Sequence, residues 1–180
     1  MEDQYIAMIF SILGMLVNII SFQAKDKKLI LLLQSLGNIL FLISFVFNGS
    51  GMAIILNVIY LIRNFTFITL EKRMTDKLST KLSVLISALI VASYAIYTPL
   101  ANLPLEENLW NLLPIAASIF GTVATSCSEV NHYRAWKFGD SYCWLFFNAR
   151  FGIGALGGIV GEVFNQASLI VGIIRYRKKK

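Results

Sequence analysis

The sequence predicts an all-α membrane protein of seven transmembrane helices, and three observations carry that prediction. The 180 residues are 57% hydrophobic and 14% charged, with a mean hydropathy of +0.68, whereas a soluble domain is about 25% charged. Seven long stretches are nearly free of Lys, Arg, Asp and Glu, and each is a candidate span of the ~20 apolar residues that a bilayer requires. Fourteen of the sixteen Lys and Arg residues fall at every second joint or in the tail.

The first span, Tyr5 to Phe22, follows the acidic Met1-Glu2-Asp3-Gln4. A signal peptide would need a positive start and a small-residue cleavage site, so the segment reads as a retained helix. The second runs from Leu29 to Phe47, the third from Gly51 to Leu70, the fourth from Leu82 to Tyr97 and the fifth from Asn108 to Ser126. The sixth, Ser141 to Phe151, is short for a bilayer, and a start near Trp136 would give it the needed rise. The seventh spans Ala155 to Ile174.

Basic residues cluster at Lys25, Lys27 and Lys28; at Lys72, Arg73, Lys77 and Lys81; at Arg134 and Lys137; and at Arg175, Arg177 and Lys178 to Lys180. The intervening joints carry none. The positive-inside rule then places the N-terminus outside and the C-terminus in the cytoplasm, and it requires the sixth span. The net charge of +6 becomes a collar against anionic headgroups, which argues against nucleic acid as a partner. Cys127 and Cys143 fall near the reducing face, so no disulfide is expected. The single histidine, His132, lies in a joint and no metal-ligand spacing occurs, so the reading includes no metal and no cofactor.

Seven spans divide as three, one and three. Residues 1–81 form the first three-helix bundle, 82–107 the linker helix with its outer loop, and 108–180 the second bundle with its basic tail. A single linker helix leaves the two bundles parallel. Ser11-Ile12-Leu13-Gly14 in the first span is echoed by Ser118-Ile119-Phe120-Gly121 in the fifth. At ~1.5 Å per residue, Asn57 and Glu162 lie at matching depths in the third and seventh spans, while Asn38 and Asn148 approach the midplane in the second and sixth. A repeat-built transporter places its substrate site in that layer.

Glu162 is the one carboxylate within these seven stretches. It can contact a solute in a hydrated pathway, couple proton movement to transport, or hold helices together as an ion pair. Arg150 is its ion-pair candidate, with snorkelling to outer headgroups as the plainer reading. Arg63 reads first as snorkelling to the basic collar and second as a gating or pathway residue. Any one of Asn38, Asn57 and Asn148 taken alone is ordinary interhelical glue; their paired depths favour a site. Asn18, Asn64 and Asn165 stay as glue, and the glycine run from Gly154 through Gly157, Gly158 and Gly161 reads as close helix packing. Trp110, Tyr133, Trp136, Tyr142 and Trp144 suit interfacial belts, with Trp144 or Phe147 as alternatives for stacking on a planar ligand.

Leu113-Pro114-Ile115, Tyr142-Cys143-Trp144 running through Phe147-Asn148, Gly157-Gly158, Glu162 and Ile55-Leu56-Asn57 together resemble the YgjV-type family of bacterial inner-membrane proteins over nearly the whole chain. That resemblance implies the SWEET and PQ-loop superfamily, a three-plus-one-plus-three fold with the N-terminus outside, and a pore lined by an Asn on the third helix and a polar residue on the seventh, here Asn57 and Glu162. The superfamily's Pro-Gln dipeptide is missing: Pro99, Pro104 and Pro114 precede Leu, Leu and Ile.

The function expected is transport of a small polar solute, sugar-like, nucleoside- or vitamin-like or cationic, by alternating access, with Glu162 as the candidate proton-coupling group. The alternative is a receptor or sorting protein that binds a ligand without moving it. No nucleophile and base share a depth, so no enzymatic activity is expected. The lipid bilayer is the expected partner, and self-association stays open. The orientation is tested by tagging each end and labelling intact and permeabilised cells: termini on opposite faces are expected, and termini on one face would overturn the seven-span reading.

Overall fold

The computed structural model describes residues 2–102, 104–149 and 156–176. They form seven long helices: α1 (Glu2–Ser21), α2 (Lys27–Phe47), α3 (Gly51–Thr69), α4 (Asp76–Ala101), α5 (Leu105–Ser126), α6 (Val130–Ala149) and α7 (Leu156–Arg175), with a single 3₁₀ turn at Glu71–Arg73 and no strand among the described residues. Six of the seven are long and apolar enough to cross a membrane; α6 falls short by composition alone.

Local chemistry sets the ends. Asp26 caps α2 by accepting the Leu29 N–H at 3.2 Å, and Thr75 caps α4 by accepting from Leu78 N–H at 3.3 Å. The α2–α3 turn places Gly49 at φ +67, and α4 ends on Asn102 at φ 47, a left-handed stop that asparagine tolerates.

The helices close a ring. α1 packs on α2, α2 on α3, α3 on α5, α5 on α6, α6 on α7 and α7 back on α1, while α4 lies outside against α3 and α5. Outward faces are aliphatic, as at Leu85 on α4 and Ile174 on α7, and inward faces carry the polar groups. With lipid as solvent, apolar burial does not drive helices together, so close backbone approach and interhelical hydrogen bonds decide the packing. At the α1–α2 crossing, a Cβ on Gly14 would stand 3.1 Å from the Gly37 carbonyl oxygen, and a Cβ on Gly37 would stand 2.6 Å from Asn18 Oδ1.

The basic joints gather at one end of the ring. Lys27 Nζ donates to the Cys127 carbonyl at 2.6 Å, and Lys28 lies 3.8 Å from Glu71. Ser79 Oγ donates to the Ser126 carbonyl at 2.9 Å, and Tyr176 Oη donates to that of Gln23 at 3.1 Å. Both cysteines are free thiols.

The largest correction concerns α6, which begins at Val130 and not near Trp136 or Ser141. Arg134, Lys137 and Asp140 lie within the helix, where a charge-based reading takes the two cations for a joint. Arg134 is fully buried; its Nε donates to the Phe22 carbonyl at 3.2 Å and Nη2 to that of Ala24 at 2.8 Å, and so it satisfies the end of α1. Tyr133, a belt candidate by sequence, is also fully buried and donates to Gln34 Oε1. The fourth helix also runs further than its apolar stretch, from Asp76 to Ala101.

Gly37→Ala is expected to lower the thermal midpoint, at a cost of about 1–3 kcal/mol from overpacking against Asn18. Adding Asn18→Ala is expected to restore most of the loss; a midpoint unmoved by Gly37→Ala would show that the contact is slack.

Candidate functional site

A cavity of about 90 Å³ lies inside the ring, with room for several water molecules. Five helices line it. α1 contributes Ser11, Met15 and Asn18; α2 contributes Asn38, Phe41 and Phe45; α3 contributes Asn57 and Tyr60. From the other half come Lys137, Asp140, Ser141, Trp144 and Asn148 of α6, and Gly158, Gly161, Glu162 and Asn165 of α7.

The asparagines meet there because the helices cross on small residues. Gly158 leaves space that Asn148 fills, a Cβ at that position lying 2.9 Å from Asn148 Cγ, and Gly161 accommodates Met15 of α1. Asn38 is 92% buried and Asn57 97% buried. Asn57 Nδ2 donates to the Ala53 carbonyl at 2.9 Å, which leaves its Oδ1 without a partner among the described residues. The Asn38 and Asn148 amides make no hydrogen bond to any described residue and line the cavity. Such a lining offers both donors and acceptors to an occupant.

Two carboxylates stand in this wall. Glu162 Oε2 accepts from Ser141 Oγ at 2.6 Å and from Asn165 Nδ2 at 3.3 Å. Asp140, almost fully buried, is paired with Lys137 one turn earlier on α6, and its Oδ1 has no hydrogen-bond partner among the described residues. A buried pair is strongly destabilised when one member is removed, because the other is stranded in low dielectric.

Arg63 is a second correction. It does not reach the basic end; it is 99% buried, with its guanidinium 4.5 Å over the Tyr60 ring. Nε and Nη2 donate to Asn64 Oδ1 at 3.2 and 3.1 Å, and Nη1 reaches Thr122 Oγ1 at 3.5 Å. Gly121 makes room: a Cβ there would lie 3.0 Å from Arg63 Nη1 and 2.9 Å from Asp140 Oδ2. Arg63 and Asp140 therefore flank one small residue of α5.

Residues 5–180 match the family model Imp-YgjV, described as bacterial inner membrane protein. The chain belongs to that family. No curated protein and no solved structure matches it. The family and the six apolar helices make it a multi-pass protein of the bacterial inner membrane, in contact with lipid.

Of the residues singled out by sequence, Asn38, Asn57, Asn148, Glu162 and Trp144 line the Imp-YgjV cavity. Trp144 stacks on Phe45 at 6.4 Å between centroids, on the cavity side of α6. Phe147 sits behind it, edge-on at 5.6 Å, and is not part of the lining. Arg150 lies outside the described residues, as does Gly154. Asn64 is glue, its Nδ2 donating to Ser35 Oγ at 3.4 Å, whereas Asn18 and Asn165 belong to the cavity wall. The sequence reading missed Asp140 and Lys137. Their spacing of three residues, with a third charge at Arg134, was the available signal: all lie on one side of a helix if the helix is started early enough.

Asp140→Ala is expected to destabilise this Imp-YgjV protein by about 3–5 kcal/mol through the stranded Lys137. Replacing both with methionine should recover most of that loss. Thermal unfolding in detergent reads both; a single variant as stable as the parent would show the pair to be hydrated.

Proposed function

We propose that this protein is a carrier of a small polar solute, working by alternating access between two parallel three-helix bundles, α1–α3 and α5–α7, with α4 as linker. In this reading the N-terminus is outside, the C-terminus is cytoplasmic, the scaffold is of the SWEET and PQ-loop kind, and the protein is not an enzyme. The observation that carries it is the cavity, whose polar side chains come from both halves: Asn38 and Asn57 from one, Asn148 and Glu162 from the other. The order of packing supports the repeat, since α1 on α2 and α2 on α3 are matched by α5 on α6 and α6 on α7, and α3 on α5 by α7 on α1. Repeat interfaces near the midplane are where carriers hold their solutes.

In the moving protein, the α3–α5 and α7–α1 contacts are the ones that part. Arg63 near Thr122 and Gly121 spans the first, and Gly161 on Met15 spans the second. Glu162 is the proposed proton-coupling group, because its carboxylate faces the cavity and is held by neutral donors.

Uptake into proteoliposomes, assayed with sugars, nucleosides, vitamins, amines and amino acids, is expected to be saturable for at least one class. Binding without flux for every ligand would replace the carrier with a receptor or sorting protein on this scaffold. Glu162→Gln is expected to remove the pH dependence of uptake; a pH profile unchanged by the substitution would rule out proton coupling through this residue.

A further inference from the structure

The charged residues missed by sequence narrow the kind of solute. Lys137 has three N–H donors; one is directed to Asp140, the others meet no described acceptor, and the side chain lines the cavity. On the neighbouring helix Glu162 commits Oε2 to Ser141 and Asn165, while Oε1 has no described partner. Ser141, which holds Glu162, follows Lys137 by one turn of α6, so Lys137 and Glu162 both belong to the part of the cavity lined by α6 and α7.

The charges facing this space are Lys137, Asp140 and Glu162, with Arg63 stacked behind Tyr60. They sum to zero. A solute with a single net charge would leave that charge uncompensated in a low-dielectric interior, which is costly. A solute with both charges leaves the balance unchanged and meets both spare groups. The unpartnered amides of Asn38 and Asn148 and the free Oδ1 of Asn57 supply neutral contacts beside them. Phe41, Phe45 and Trp144 form an apolar wall.

We propose that the cavity binds a small zwitterion, an amino-acid-like solute whose carboxylate accepts from Lys137 and whose ammonium donates to Glu162 Oε1 and Asn57 Oδ1. The apolar part of the solute packs against Phe45 and Trp144. For its use in transport this proposal rests on the carrier reading; occupancy of the site does not.

The test uses the full chain purified in detergent. Glycine, L-alanine and L-leucine are compared with ethanolamine, propionate and glycerol by thermal shift and titration calorimetry. A zwitterion is expected to raise the midpoint where the amine, the acid and the polyol at equal concentration do not; no shift with any zwitterion, or an equal shift with the others, would overturn the proposal. Glu162→Gln is expected to weaken zwitterion binding at least tenfold, the size of a lost charge-assisted hydrogen bond. Because Lys137→Gln alone strands Asp140, the paired variant Lys137→Gln with Asp140→Asn is used for the other end, with the same loss expected. Unchanged affinity in both variants would refute the assignment. In proteoliposomes, zwitterion binding without flux keeps the ligand and removes the carrier, whereas polyol flux without zwitterion binding does the reverse.

Discussion

A helix bearing three charged side chains can lie inside a membrane bundle only if each finds a partner away from lipid, and α6 meets that constraint turn by turn. At its start Arg134 takes up carbonyls at the end of α1. One turn on, Lys137 and Asp140 pair within the helix, and then Ser141 reaches Glu162 of α7. His132, at the start of the helix, is exposed and lies 3.5 Å from Glu129. With these contacts α6 joins the α1–α2 turn and α7 and forms one wall of the cavity. The other walls are placed relative to it.

The same constraint explains where the small residues fall. Gly121 lets Arg63 and Asp140 approach from two sides, and Gly158 lets Asn148 stand beside α7. A methyl group at either place would meet polar atoms at about 3 Å. Small residues thus serve the buried polar groups as much as they serve backbone packing. The interior that results holds amides, hydroxyls and charges beside the aromatic rings of Phe22, Phe41, Phe45, Tyr60 and Trp144.

Most spans were legible because lipid-facing helices must be apolar over their whole length, and that pattern needs no tertiary knowledge. α1, α2, α3, α5 and α7 begin and end within three residues of their apolar stretches. α6 was legible only in part. Hydropathy weighs a charge as if it faced lipid or water, whereas Arg134 and Asp140 are buried and Lys137 lines the cavity. For the same reason Arg63 read as a snorkelling residue, since its depth was known but not the Tyr60 ring and Asn64 amide that receive it.

By itself the sequence determined that this chain is a bilayer protein with basic joints at alternate turns, and it selected Asn38, Asn57, Asn148 and Glu162 by depth along their helices. Depth is a property of one helix at a time, fixed by 1.5 Å per residue. Tertiary structure decided which faces of different helices share a space, and so brought those four residues into one cavity, added Lys137 and Asp140, and left Phe147 behind its wall. Rotation of a helix about its axis depends on what its neighbours can accommodate: here the glycines at the crossings and the ion partners within the ring, none of which a single span records.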